Sequence, residues 1–76
     1  MWRVEFEAAA IEDLARLEAY EINLVKDLFA GLIHTANPRI VGGLNGKFWC
    51  YGLGIKIIRC RIHDDIKTIH VVAISL

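Results

Sequence analysis

Apolar residues change their spacing twice along this chain, and that change confines it to a mixed fold of helices and strands. Trp2, Val4 and Phe6 alternate with Arg3, Glu5 and Glu7, the period-two pattern of a short strand with one buried face. From Ile11 the apolar positions recur mainly at intervals of three and four, through Leu14, Ala15, Leu17, Ile22, Val25, Phe29, Leu32 and Ile33. That rhythm belongs to amphipathic helix. Good helix formers fill the gaps and no glycine occurs before Gly31. Asn37-Pro38 closes the helical region, because proline biases its predecessor away from the α conformation. Three short apolar runs follow, Phe48–Leu53, Lys56–His63 and Lys67–Leu76, separated by Gly54 and by Asp64-Asp65. Gly42, Gly43, Asn45 and Gly46 make residues 39–46 a loop by composition.

The helical region admits one rod or two. Positions 11, 15, 18, 22, 25, 29 and 32 keep one seam, interrupted only by Glu18. A rod of about 26 residues would span about 39 Å, too long to bury both ends of its stripe on one small sheet. A bend near Glu18–Glu21 is therefore expected. The predicted architecture is α+β in a single domain covering residues 1–76: a short N-terminal strand, a helical hairpin, then a three-stranded antiparallel meander, forming one sheet packed on two helices.

Pairing the first two of the three runs through Gly54 has a consequence for chemistry. Cys50 and Gly52 fall on one face with Ile57, Arg59, Arg61 and His63. Trp49, Tyr51 and Leu53 fall on the other with Ile58, Cys60 and Ile62, the side the helices must cover. Cys50 and Cys60 then face opposite ways and should not bridge.

Size and composition limit the rest. A chain of 76 residues with 55% hydrophobic content is a folded domain rather than a disordered one, but its core is small. No stretch reaches the roughly 20 apolar residues of a membrane span, and no signal-peptide layout opens the chain. A cytoplasmic location with reduced cysteines is expected. Net charge is zero, yet residues 1–38 carry three basic against seven acidic residues and residues 39–76 carry six basic against two acidic. The basic half suits a nucleic-acid or acidic-peptide partner. Cys50, Cys60, His34, His63 and His70 show no metal-ligand pair spacing. No metal and no other cofactor is expected.

Taken in order, Asn37-Pro38-Arg39, Gly43-Leu44-Asn45-Gly46-Lys47, Trp49-Cys50-Tyr51-Gly52-Leu53-Gly54 and Ile57-Ile58-Arg59-Cys60-Arg61-Ile62 with Asp64-Asp65 resemble the RelE/ParE superfamily of type II toxin-antitoxin toxins, across essentially the whole chain. The resemblance implies a toxin bound and neutralised by an antitoxin. RelE-like members cleave messenger RNA at the ribosome, whereas ParE-like members inhibit gyrase. The family commonly reads Trp-Arg-Tyr-Arg-Val-Gly-Asp-Tyr-Arg through the hairpin. Here Cys50 and Gly52 replace the arginines around the tyrosine, and Lys56-Ile57 replaces the Tyr-Arg pair.

Cleavage by a ribose 2′-hydroxyl needs a general base, a donor to the leaving group and positive charge near the phosphorane. Gly52 and Ile57 supply none of these. The departures therefore imply weak or absent ribonuclease activity. An active messenger-RNA interferase, with Lys47, Lys56, Arg59 and Arg61 as replacement catalytic groups, stays open as an alternative, as does a ParE-like gyrase inhibitor or pure interaction protein. Arg39, Arg59, Arg61 and His63 are the candidate RNA- or partner-binding residues. Leu24 and Leu28 lie off the main helical seam and are the candidate antitoxin-facing pair.

Overall fold

The computed structural model describes all 76 residues. Its elements are β1 (Arg3–Phe6), α1 (Ala8–Ala15), α2 (Ala19–Leu32), a 3-10 turn (Pro38–Ile40), β2 (Gly43–Asn45), β3 (Phe48–Leu53), β4 (Lys56–His63) and β5 (Thr68–Ser75). The strands form one five-stranded sheet in the order β1-β5-β4-β3-β2. β1 runs parallel to β5, and every other pair is antiparallel. The α+β class, the two helices and the three C-terminal strands agree with the sequence reading.

The helical region does break, between residues 16 and 18. Glu21 supplies the reason: its carboxylate accepts the Glu18 backbone N–H at 2.9 Å, so the new helix starts with one of its orphan donors satisfied. The break also frees α1 to choose its own phase. Ala10 is fully buried while Ile11 is 56% exposed, so the α1 seam runs one residue earlier than the continuous rhythm predicted. At the far end Thr35 donates its hydroxyl to the Leu32 carbonyl at 2.9 Å, and Asn37 accepts the Arg39 N–H at 3.0 Å, starting the turn at Pro38.

One expectation is corrected. Residues 43–45 are a strand, not loop: Gly43, Leu44 and Asn45 pair with Cys50, Trp49 and Phe48. Backbone hydrogen bonds, not burial, make this edge strand, since all three residues are exposed, and a hydrophobicity pattern cannot report such a strand.

The core lies between the helices and one face of the sheet. Ile58, Cys60, Ile69 and Val71 have no exposed surface, and Val25, Phe29 and Leu32 of α2 cover them. Phe29 stands edge-on to Phe6 and to Tyr51, with ring centroids 6.0 and 6.2 Å apart, joining β1, α2 and β3. On β5 a bulge at Val72 separates the pairs Cys60–Val71 and Arg59–Ala73. The extra residue resets the alternation, so Ile74 returns to the core after Val71. β1 has ended by this point, and Asp13 of α1 takes over its role by accepting the Ile74 N–H at 2.9 Å.

Candidate functional site on the open sheet face

Both helices lie on one side of the sheet, which leaves the opposite face open. The β3–β4 register, Trp49–Cys60, Cys50–Arg59, Tyr51–Ile58 and Gly52–Ile57, agrees with the face assignment made from sequence. The Gly54-Ile55 connection between Leu53 and Lys56 has two residues, and Gly54 takes the positive φ of 61° such a tight turn needs.

Arg59 and Arg61 project from the open face. Arg59 donates to the Ser75 hydroxyl at 2.9 Å across the β4–β5 pair. Arg61 lies 5.2 Å from the centre of the Phe48 ring, and its Nη1 is 3.7 Å from Glu7 Oε1. Lys47 approaches the same ring, with Nζ 5.6 Å from its centre. His63 continues the row, its ring 6.1 Å from that of His70. His70 Nε2 in turn lies 3.6 Å from the same Glu7 oxygen. The structure thus brings Lys47 and Arg61 together at Phe48, with Arg59 and His63 each two residues away from Arg61 along β4.

Two of the expected cations are placed elsewhere. Lys56 lies on the helix-covered face, where its Nζ donates to Glu21 Oε1 at 3.1 Å. Its position follows from strand parity, because Lys56 alternates with Ile57 and so keeps company with Ile58 and Cys60. Arg39 forms a two-pronged bond to Asp64, Nη1 to Oδ1 at 3.0 Å and Nη2 to Oδ2 at 2.9 Å. This pairing holds the Asp64 carboxyl below its ordinary value and raises the guanidinium. Neither residue joins Arg59 and Arg61.

At the hairpin end of the open face Gly52 stands opposite Ile57, neither with a polar side-chain group, and Ser75 flanks Ile57 on β5, its hydroxyl taken by Arg59. A Cβ placed on Gly52 would meet no atom within 4 Å, so the surface is vacant there rather than filled. The neighbouring 3-10 segment is held rigidly from the covered side. Tyr51 donates its hydroxyl to the Pro38 carbonyl at 2.7 Å, and Trp49 Nε1 donates to the Val41 carbonyl at 2.9 Å. Gly42 closes this contact at φ 83°, with any Cβ there meeting Trp49 Nε1 at 2.8 Å and Tyr51 Cδ1 at 2.9 Å.

Sequence reasoning did not single out Phe48, Glu7 and His70. Phe48 was within reach, since it shares the alternation of Cys50 and Gly52. Glu7 and His70 were not, because their approach depends on β1 lying beside β5, a pairing no local pattern announces. On the helix side an apolar cleft of about 290 Å³ opens among Val4, Phe6, Leu14, Val25 and Phe29. Leu24, 48% exposed, and the half-buried Leu28 lie outside its lining. Both cysteines are free thiols. No three His, Cys, Asp or Glu side chains converge as metal ligands, and no helix is long and apolar enough to cross a membrane.

No protein-family model matches the chain, and no curated protein sequence does. Solved structures match it over nearly its whole length. A chain of the intact E. coli RelBE toxin-antitoxin complex superposes with a TM-score of 0.82 at 11% identity, covering 99% of this chain and 95% of that one. The isolated E. coli RelE toxin gives 0.79 at 9% identity, covering 99% and 83%. The RelBE2 toxin-antitoxin complex of Mycobacterium tuberculosis gives 0.77 at 18% identity, covering 97% and 95%. The likeness is one of fold, and the fold is RelE-like.

Proposed function

We propose that this chain is the toxin component of a type II toxin-antitoxin pair, bound and neutralised in the cytoplasm by an antitoxin protein, and that its open face engages messenger RNA while cleaving it weakly or not at all. The whole-length likeness to RelE chains, two of them from toxin-antitoxin complexes, supports the toxin reading. The single observation behind the weak activity is the pairing of Gly52 with Ile57 at the hairpin end of the face. Arg59 and Arg61 can attract phosphate from where they stand. Arg59 is tied to Ser75 beside Ile57, Arg61 lies farther along β4, and neither Gly52 nor Ile57 can hold a phosphate or shuttle a proton. Losing one preorganised electrostatic donor typically costs about 10²–10³ in rate.

Leu24, Leu28 and exposed Tyr20 on α2 offer the antitoxin an apolar strip without touching the open face. An acidic protein encoded beside this one is expected to co-purify with it and to bury that strip. Purified chain should cut ribosome-bound messenger RNA far more slowly than an active RelE assayed alongside. Gly52→Arg with Ile57→Arg restores guanidinium groups to vacant surface, and toxicity on expression should rise. Rapid cleavage by the unaltered chain would overturn the weak-activity reading, and a neighbouring gene product that never binds would overturn the toxin reading.

A further inference from the structure

Glu7 occupies an unusual place for a carboxylate. It is the N-cap residue of α1, yet its side chain makes no capping hydrogen bond. The carboxylate instead reaches the open face, where a single oxygen, Oε1, faces Arg61 Nη1 at 3.7 Å and His70 Nε2 at 3.6 Å. Both contacts exceed hydrogen-bond length. The Glu7 side chain is 35% exposed, and those of Arg61 and His70 are 41% and 30% exposed. An anion is thus held between an arginine and a histidine nitrogen, loosely and within reach of solvent.

Beside it stands the other half of a nucleotide-sized site. Phe48 is half-buried on the same face, with Arg61 and Lys47 at 5.2 and 5.6 Å from its ring centre. An aromatic ring bracketed by cations accepts any base by stacking while the cations track the backbone. Resting on the reading that this face meets RNA, we propose that Phe48, Arg61 and His70 form a cradle for one nucleotide, and that the Glu7 carboxylate holds the phosphate position in the free protein and must yield it to the ligand. Arg61 is four residues from Ile57 along β4, about 13 Å at ordinary strand rise. The cradle is therefore separate from the Gly52–Ile57 pair, and binding survives where cleavage has faded.

The test uses the intact chain and a fluorescently labelled single-stranded RNA ten-mer, read by anisotropy at fixed low salt. Glu7→Gln removes the competing charge and should tighten binding by about three- to tenfold. Glu5→Gln removes an equal charge two residues earlier in the chain, but Glu5 pairs with Arg3 at 3.4 Å, and it should tighten binding less. In an Arg61→Gln background Glu7→Gln should give no gain, the coupling expected of groups that meet. Phe48→Leu should weaken binding by roughly tenfold.

Equal gains from Glu5→Gln and Glu7→Gln, or none from Glu7→Gln, would overturn the inference while leaving RNA binding intact. If no form of the chain binds the ten-mer, the RNA reading of the face falls with it. A titration of uridine monophosphate into the unaltered chain needs no substitution: the ring protons of Phe48 and His70 should shift together, and shifts confined elsewhere overturn the cradle.

Discussion

The two faces of the sheet each carry a cation paired with a glutamate, and the pairs are built differently. On the covered face Lys56 meets Glu21 at 3.1 Å, with the side chains 27% and 8% exposed. Glu21 is committed twice, since it also accepts the Glu18 N–H at 2.9 Å. On the open face Arg61 meets Glu7 at 3.7 Å, with the side chains 41% and 35% exposed. The first pair positions a helix and has no freedom to serve a ligand. The second is screened by solvent, contributes little to stability, and is free to exchange partners. Of these two pairs, the one that the helices cover is structural and the one that they leave open is available.

Substitutions can break that contrast, and the largest effect belongs to the covered face. Phe29→Ala removes the ring that joins Phe6 to Tyr51 and should cost about 3–5 kcal/mol in denaturant unfolding. Tyr51→Phe leaves the Pro38 carbonyl without its buried donor and should cost about 1–2 kcal/mol, loosening the 38–42 segment to hydrogen exchange. Glu21 sharpens the comparison through pH. Its carboxyl is held below the ordinary 4.5, first by the Glu18 backbone hydrogen bond and then by Lys56. The stabilisation is therefore fully present above about 4.5 and lost as acidification passes through the lowered value. Glu21→Gln should melt lower than the unaltered protein at neutral pH, with the gap narrowing below pH 4.5. Smallest is Arg59→Gln on the open face, which should change stability by less than about 0.5 kcal/mol while weakening RNA binding and its salt dependence.

The thiols test the same contrast without mutation. Burial pushes the Cys60 thiol up to about 12, and Cys60 has no exposed surface, whereas Cys50 is half-exposed on the other face. A maleimide should modify Cys50 in the native protein and reach Cys60 only on unfolding.

What was legible in the sequence was whatever repeats locally. The 3-4 spacing located both helices, and strand alternation set Arg59 and Arg61 opposite Tyr51 and Ile58. The same parity rule placed Lys56 under the helices once the register was fixed, although chemistry alone grouped it with the arginines. The α1 phase was missed because the break at residues 16–18 uncouples two helices whose seams read as continuous. β2 was missed because an exposed edge strand has no buried side to report. Glu7 and His70 depend on a contact between strands about as far apart in the chain as any, and no pattern within a short window encodes it.

That same contact governs how the molecule can assemble. β5 lies between β1 and β4, and Arg3 meets Thr68, so the sheet closes only after nearly the entire polypeptide has been gathered. Such closure is entropically late. A fragment lacking β5 loses the partner of two strands at once and has no smaller stable state to fall back on. Proteolytic nicking within 68–75 should therefore abolish the domain in one step rather than trim it.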